Sequence, residues 1–286
     1  DLPIALALLC GSGRLSSARL GDWLLVGELG LDGALRPVRG VLPMLRVAAN
    51  RGRLRAIVPE ANAAEAALLP DMEVHHGAHL RDVVRFLEGG PALPSVLPDS
   101  AETENGNGGP DLCEVRGQAA ARRALEVAAA GAHNLLMVGP PGAGKSMLAS
   151  RLPGLLPPAS APEAIDIATI ASASGAPLAR HLGAIRRPFR APHHSASQVA
   201  LIGGGQPISP GEVTLAHGGV LFLDELPEFS RSTLEALRPT MESGLARIAR
   251  ARERVDLPAR PLIVAAMNPC PCGHDGDPRR MCRCTP

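Results

Sequence analysis

Apolar residues in the second half of the chain come in short unbroken runs that are typical of buried strands. The segments Asn134–Val138, Gly219–Leu223 and Pro261–Met267 show no regular alternation of apolar and polar positions. Such runs predict strands covered on both faces, as in a parallel sheet flanked by helices. The alanine-rich segment Gln118–Ala130 predicts a helix just before the first of them. The pattern therefore predicts an α/β fold.

In residues 1–88, predicted strands and helices alternate at short intervals, which indicates a small α/β domain with its own core. A hairpin turn is predicted at Gly30–Gly33. The predicted strands are Trp23–Leu29, Ala56–Pro59 and Met72–His75, and the predicted helices are Val41–Asn50, Ala61–Leu68 and Leu80–Leu87.

Residues 89–111 are rich in Gly, Pro, Ser, Asn and acidic residues, a composition that predicts an exposed linker. The predicted domains are therefore residues 1–88 and residues 112–286, joined by this linker.

The first apolar run leads into the segment GPPGAGKS, which has the spacing G-x-x-x-x-G-K-S/T. In this pattern backbone N–H groups surround phosphate, the lysine reaches the outer phosphates and the hydroxyl ligates Mg²⁺. Lys145 is the single lysine in a chain with 29 lysine and arginine residues, which favours a specific use for this compact cation. The alternative is a glycine-rich turn with a solvated lysine. The residues predicted to hold a nucleotide are Gly139, Pro140, Pro141, Gly142, Ala143, Gly144, Lys145, Ser146 and Met147.

Polar residues end the other two apolar runs. Asp224 and Glu225 follow the second run, where an acid is expected to hold Mg²⁺ and its neighbour to activate the attacking water. Asn268 follows the third run and is predicted to lie at the same edge of the sheet, where it could orient water or phosphate. The alternatives are a helix cap for the two acids and a simple turn for Asn268.

Composition limits the partners of the chain. A formal net charge of +1 over 286 residues argues against binding of polyanions by the whole surface, so contact with nucleic acid would need a local patch. No signal peptide is recognisable, and no apolar run of 18 residues is free of charge and proline. These features predict a soluble cytoplasmic protein with no membrane partner.

Four cysteines near the end of the sequence have the spacing C-x-C-x₉-C-x-C: Cys270, Cys272, Cys282 and Cys284. Four thiolates in two close pairs can form a structural Zn²⁺ site, although C-x₂-C is the commoner spacing. Thiols without a metal, or redox-active thiols, are the alternative.

Several motifs together resemble one family. They are VRGQ at 115–118, the phosphate-loop motif at 139–146, PFRAPHH at 188–194, PGEVTLAH at 210–217, LFLDELPEF at 221–229 and NPCPCG at 268–273. The chain resembles the magnesium-chelatase-like AAA+ ATPases of the ComM/YifB type over nearly its whole length. This resemblance implies a hexameric ring that binds ATP and Mg²⁺ between subunits, and the competence-related members are regarded as DNA branch-migration helicases.

The resemblance also implies roles by position. Lys145 and Ser146 would bind phosphate and Mg²⁺, Asp224 and Glu225 would be the Walker B pair, and Asn268 would be the first sensor. Val115 and Gln118 would lie near the adenine. Residues 186–205 would be the insertion in the second helix, and residues 245–260 the hairpin before the sensor strand.

Arginines are concentrated in that hairpin, namely Arg247, Arg250, Arg252, Arg254 and Arg260. This density suits contacts with DNA phosphates along a pore, and a solvated arginine-rich loop is the alternative. A chelatase-type motor that drives metal insertion and a nucleotide-dependent regulatory module are the other functional hypotheses. DNA remodelling is favoured over chelation because the chelatase motor subunits used for comparison lack the N-terminal domain.

The N-terminal domain resembles the ribosomal-S5/Lon-protease-like domain of the same family, but Leu42 stands where a Lon-type catalytic lysine would fall. Because residues 1–110 contain no lysine, protease activity by that mechanism is rejected. The start at Asp1 and the end at Pro286 lead us to expect a fragment without the helical lid, second sensor arginine and arginine finger. Such a fragment would bind ATP but hydrolyse it poorly.

Overall fold

The computed structural model describes residues 1–96, 109–179, 181–249, 254–273, 275, 281–282 and 284. The chain divides into two compact units. The first comprises Asp1–Glu104 and Ala164–Ile185, and the second comprises Asn105–Glu163 and Arg186–Pro286. None of the helices in the described ranges is both long and apolar enough to cross a membrane.

The three unbroken apolar runs form neighbouring parallel strands in the second unit. Their order in the four-stranded sheet is β6-β13-β10-β7, and every neighbouring pair is parallel. The strands are β6 (Leu135–Val138), β7 (Phe189–Arg190), β10 (Val220–Leu223) and β13 (Leu262–Met267). This arrangement confirms the predicted α/β fold with a parallel sheet flanked by helices.

Alternate residues of each central strand enter two different cores, which explains why the runs are apolar throughout. Val220 and Phe222 pack on one face with Leu125 and Leu152 from the flanking helices. Leu221 and Leu223 point to the opposite face, into a second core. Because both faces are covered by helices, neither set of alternating positions is polar.

The helices of the second unit lie on these two faces, and short strand pairs lie beside them. The helices are α5 (Ala119–Gly131), α6 (Lys145–Ala149), α7 (Leu152–Leu155), α9 (Gln198–Ile202), α10 (Glu212–Leu215) and α11 (Arg231–Ser243). The antiparallel strand pairs are β8 (Gly203–Gly204) with β9 (Ser209–Pro210), and β11 (Leu245–Ala249) with β12 (Arg254–Pro258).

The first unit has a three-stranded parallel sheet in the order β1-β4-β5, with a two-stranded hairpin, β2 and β3, beside it. The strands are β1 (Trp23–Leu25), β2 (Glu28–Leu29), β3 (Leu35–Arg36), β4 (Arg55–Pro59) and β5 (Glu73–Gly77). The helices are α1 (Leu2–Gly11), α2 (Val41–Asn50), α3 (Ala63–Ala66) and α4 (Leu80–Leu87), with α8 (Ala161–Ser174) arriving from later in the sequence.

Most of α8 belongs to the first unit because its side chains contact α2 and α3. Ala168 packs with the fully buried Leu42. Arg46 donates to Asp166 at 2.8 Å, and the Ser172 hydroxyl donates to Glu65. The compact unit thus includes residues 164–185, which the sequence pattern grouped with the later domain.

Several predicted elements are confirmed, including the helices Val41–Asn50 and Leu80–Leu87 and the turn at Gly30–Gly33. The single strand predicted over Trp23–Leu29 is wrong, since β1 and β2 belong to different sheets. Gly27 separates them with a φ of 157°. The predicted linker, residues 89–111, includes residues 97–108, which lie outside the described residues.

Leu221 offers a test of the two-sided core. We expect Leu221→Ala to lower the free energy of unfolding by about 2–5 kcal/mol, because the side chain is fully buried and leaves a cavity. Leu136→Ala is the matched control, since this strand leucine is 52% exposed. Equal destabilisation by both variants in denaturant unfolding would contradict the packing described.

Candidate functional site

The residues that follow three parallel strands lie together at one edge of the sheet. Gly139 follows β6, Asn268 follows β13 and Asp224 follows β10, and these strands are neighbours. The Gly139 N–H donates to the Met267 carbonyl at 3.2 Å, which ties the beginning of the phosphate loop to the end of β13. The strand order explains why residues far apart in sequence meet here.

The ammonium group of Lys145 lies at the centre of this edge. Its Nζ donates to the carbonyls of Gly139 at 2.7 Å and Pro140 at 3.1 Å, and to Asn268 Oδ1 at 3.0 Å. An ammonium has three N–H donors, so these three acceptors satisfy it completely. The two carbonyls lie in its own loop, and the amide comes from a different strand, so Lys145 links the loop to β13.

Ser146 and Asp224 place two oxygen atoms next to each other. The Ser146 hydroxyl donates to Asp224 Oδ2 at 2.6 Å, while Asp224 Oδ1 accepts from the Glu225 N–H at 3.0 Å. Hydroxyl and carboxylate oxygens are ligands that Mg²⁺ accepts. The pair therefore fits one side of a Mg²⁺ coordination shell that phosphate oxygens and water would complete.

Glu225 has a left-handed backbone with a φ of 51°, and its carboxylate contacts a histidine. His194 Nδ1 lies 3.0 Å from Glu225 Oε2. Residues other than glycine rarely adopt this conformation. Those that do are often found at functional sites. Sequence reasoning missed this contact of His194. No sequence pattern locates it, because the contact depends on Arg190, the last residue of the two-residue strand β7, lying beside β10.

Gln118 and Val115 are positioned differently from each other. Gln118 has a φ of 56°, and its Nε2 donates to the Ala143 carbonyl at 2.8 Å, which brings it against the phosphate loop. The Val115 side chain is instead buried in the core with Leu112 and Leu125. Gly142 and Gly144 have positive φ values of 76° and 81°, which explains why glycine is suited to these two positions of the loop.

The predicted arginine-rich hairpin is present as β11 and β12. Arg247 and Arg254 are both exposed, and Asp256 lies between them at 3.8 and 4.0 Å. The opposite face of β11 is apolar, with Ala246 and Ile248 buried. The predicted contacts through Arg250 and Arg252 lie outside the described residues.

The inner face of this hairpin packs against the other predicted insertion. A Cβ added to Gly203 would lie only 2.8 Å from Ile248 Cδ1, so the glycine permits this close approach. Gly203 directly follows α9, which itself follows the segment containing His194. The hairpin and the histidine segment are therefore connected through one short helix.

Arg190 and Glu212 form a bidentate ion pair between two of the family motifs. The guanidinium donates to the carboxylate at 2.6 and 2.7 Å, and these hydrogen bonds raise the pKa of Arg190 above its ordinary value. The pair joins the end of β7 to α10 and thereby supports the loop that carries His194.

The sulfur atoms of Cys270, Cys272, Cys282 and Cys284 all lie within 4.8 Å of one another. The Cys284 N–H donates to the Cys282 sulfur and lowers the pKa of that thiol, but burial and the neighbouring sulfurs raise it to about 12. Crowding of the sulfurs therefore opposes loss of the proton from a cluster without a metal.

Comparison with known proteins agrees with these features. A family model described as magnesium chelatase, subunit ChlI, matches residues 111–286, and a second ChlI model matches residues 1–62. The chain belongs to the magnesium-chelatase-like ComM/YifB family. It is 49% identical over 96% of its length to the competence protein ComM of Haemophilus influenzae and 48% identical over its whole length to the uncharacterized protein YifB of Salmonella typhimurium.

The chain spans 54% of that ComM protein and 55% of that YifB protein. Members of this ComM/YifB family are AAA+-type ATPases that use ATP and Mg²⁺, and AAA+ proteins typically form oligomers.

Lys145→Arg tests whether the site requires an ammonium and not simply a positive charge. The planar guanidinium cannot occupy the small space among the three acceptors of Lys145. We therefore expect Mg-ATP affinity to fall by roughly tenfold or more, the effect of losing a charge-assisted hydrogen bond. Calorimetric titration measures this change. Arg123→Lys on α5 is the control, and unchanged affinity in Lys145→Arg would contradict the geometry described.

Proposed function

We propose that this chain is the ATP-binding part of a motor that remodels DNA, driving branch migration during recombination or natural transformation. The observation that carries the proposal is the convergence of Lys145, Asp224, Glu225 and Asn268 at one edge of a parallel sheet. These groups follow three neighbouring strands, and together they suit one reaction, hydrolysis of a Mg-nucleotide. A glycine-rich turn with a solvated lysine would have no reason to contact Asn268.

The proposed roles follow from the contacts. Lys145 exchanges at least one of its present acceptors for a phosphate oxygen, because all three of its donors are used. Ser146 and Asp224 would hold Mg²⁺, which would neutralise negative charge on the phosphates. Glu225 accepts a proton from the attacking water, and Asn268 orients that water or the γ-phosphate. Gln118 borders the nucleotide beside the phosphate loop, and Val115 does so only through its backbone, because its side chain is buried in the core.

We further propose that His194 links DNA contact to hydrolysis. The carboxylate that activates water is held by His194 at 3.0 Å. From His194 the chain continues through α9 to Gly203, which contacts Ile248 of the hairpin. Movement of the hairpin can therefore change the position of Glu225 through a short connection of packed residues.

Arginines of the hairpin are proposed to contact DNA phosphates. Arg247 and Arg254 have side chains 56% and 71% exposed, so both can reach a backbone phosphate. Asp256 prevents an uninterrupted positive surface and would limit nonspecific binding. The relative named as a competence protein supports a role in DNA uptake or recombination. A hexameric ring in the cytoplasm would place the hairpins of neighbouring subunits around one strand or duplex.

A second candidate is a chelatase-type motor that drives metal insertion, and the description of the matching family model favours it. In that case the ATPase site is the same, but the hairpin contacts a protein. Stimulation of ATP hydrolysis by branched DNA in the whole protein distinguishes the two, because a chelatase motor has no reason to respond to DNA.

Replacing Arg247 and Arg254 of the hairpin tests the DNA interface. Arg247→Ala with Arg254→Ala removes about two phosphate contacts, so the slope of log affinity against log salt should fall in magnitude by about 1.8 for duplex DNA. Stimulation by branched DNA should fall with it. The control removes Arg231 and Arg238, two exposed arginines of α11. Equal effects of the two pairs would contradict a specific role of the hairpin.

His194→Ala tests the link to Glu225. If the imidazole restrains the carboxylate, its removal should raise the basal ATPase rate and reduce the further stimulation by DNA. The ratio of DNA-stimulated to basal rate is the readout, with nucleotide affinity unchanged. A parallel fall of both rates would contradict the proposed restraint and indicate that His194 only supports the fold.

A further inference from the structure

The four clustered sulfurs have the dimensions of a mononuclear metal site. Cys272 lies 3.3 Å from Cys270 and 3.7 Å from Cys282, and Cys282 lies 3.7 Å from Cys270, sulfur to sulfur. Four sulfurs placed about 2.3 Å from a tetrahedral Zn²⁺ are about 3.8 Å apart. A disulfide would require about 2.05 Å. The observed spacing therefore fits an ion at the centre of the four sulfurs better than covalent pairs.

Backbone groups around the cluster are arranged to support negative charge on sulfur. The Asp275 N–H donates to the Cys270 sulfur at 3.3 Å, and the Cys284 N–H donates to the Cys282 sulfur at 3.4 Å. Hydrogen bonds of this kind stabilise thiolates and orient metal ligands. They would bring little benefit to neutral thiols on a protein surface.

The ligand type and the available space select the ion. Four soft thiolates favour Zn²⁺ or iron over Mg²⁺ and Ca²⁺. All four sulfurs lie within 4.8 Å of one another, which leaves room for one ion but not for a cluster of several iron and sulfide atoms. Binding is not a redox step: four Zn–S bonds form, and the thiol protons pass to solvent.

The cysteine segment is also part of the nucleotide edge. Cys270 comes two residues after Asn268, and the turn is closed by the Gly273 N–H, which donates to the Cys270 carbonyl at 2.9 Å. Gly273 is buried with a φ of 78°, and a Cβ added there would lie 2.7 Å from Cδ of Pro141. The turn therefore lies directly on the phosphate loop.

We propose that Cys270, Cys272, Cys282 and Cys284 bind one structural Zn²⁺, and that this ion holds the turn at 269–273 against the phosphate loop. The ion thereby fixes Pro141 on one side and Asn268 on the other. Metal binding and nucleotide binding are coupled through this contact. The metal site stands on its own geometry, whereas the coupling rests on the proposed nucleotide site.

Metal analysis of the purified protein tests the site itself. We expect about one zinc ion per chain, its loss in Cys270→Ser with Cys282→Ser, and its retention in Cys113→Ser, an exposed cysteine of the same unit. Replacement by Co²⁺ should give the absorption bands of tetrahedral thiolate coordination. Iron in place of zinc, or a zinc content that the double variant does not change, would overturn the assignment.

Gly273→Ala tests the coupling while leaving all four sulfurs in place. The added methyl group collides with Pro141, so zinc should remain and Mg-ATP affinity should fall by roughly tenfold, about the loss of one charge-assisted hydrogen bond to phosphate. Gly52→Ala is the matched control, because Gly52 has a φ of 77° but no atom within 4 Å of the added carbon.

Removal of zinc by a chelator should weaken Mg-ATP binding to a similar extent. Retained zinc with unchanged affinity in Gly273→Ala and after chelation would overturn the coupling. If the unmodified protein bound zinc but no Mg-ATP at all, the proposed nucleotide site and the coupling would both fail, while the zinc site would stand.

Discussion

The ammonium of Lys145 is the interaction on which the rest of this site depends. It donates to two carbonyls of its own loop and to Asn268 on the neighbouring strand, so one cation joins the phosphate loop to the centre of the sheet. The contact requires β13 to lie beside β6, as it does in the observed strand order. The two apolar cores cover both faces of the sheet and so hold the ends of β6 and β13 within reach of this lysine.

Several side chains and one turn contact the sheet edge on which this cation lies. Asp224 joins the phosphate-loop motif through Ser146. Glu225 contacts His194, which lies in the segment after β7, the strand on the other side of β10. On the opposite side, the buried Gly273 has no side chain and so allows the cysteine turn to lie against Pro141. A displacement of the hairpin, the nucleotide or a metal would thus change the positions of residues at the same sheet edge. This shared position is the physical basis for both proposals.

Sequence patterns predicted the parallel sheet because an unbroken apolar run is required wherever both strand faces are covered. The patterns also predicted that Asp224 and Asn268 lie at one edge of the sheet, because the carboxyl ends of parallel strands meet at the same edge. The contact between His194 and Glu225 could not be predicted, because it depends on β7 pairing with β10 through only two residues on each strand. The packing of α8 in the first unit could not be predicted either, because nothing in the sequence pattern of this helix specifies which unit covers its buried face.

The one lysine of the chain makes a direct measurement possible. An amine-reactive reagent can modify only Lys145 and the α-amino group, and peptide mass spectrometry separates the two products. We expect Mg-ATP to protect Lys145 from modification, while the α-amino group, which belongs to the other unit, reacts at an unchanged rate. Modification of Lys145 at the same rate with and without saturating Mg-ATP would contradict the claim that this ammonium holds the nucleotide.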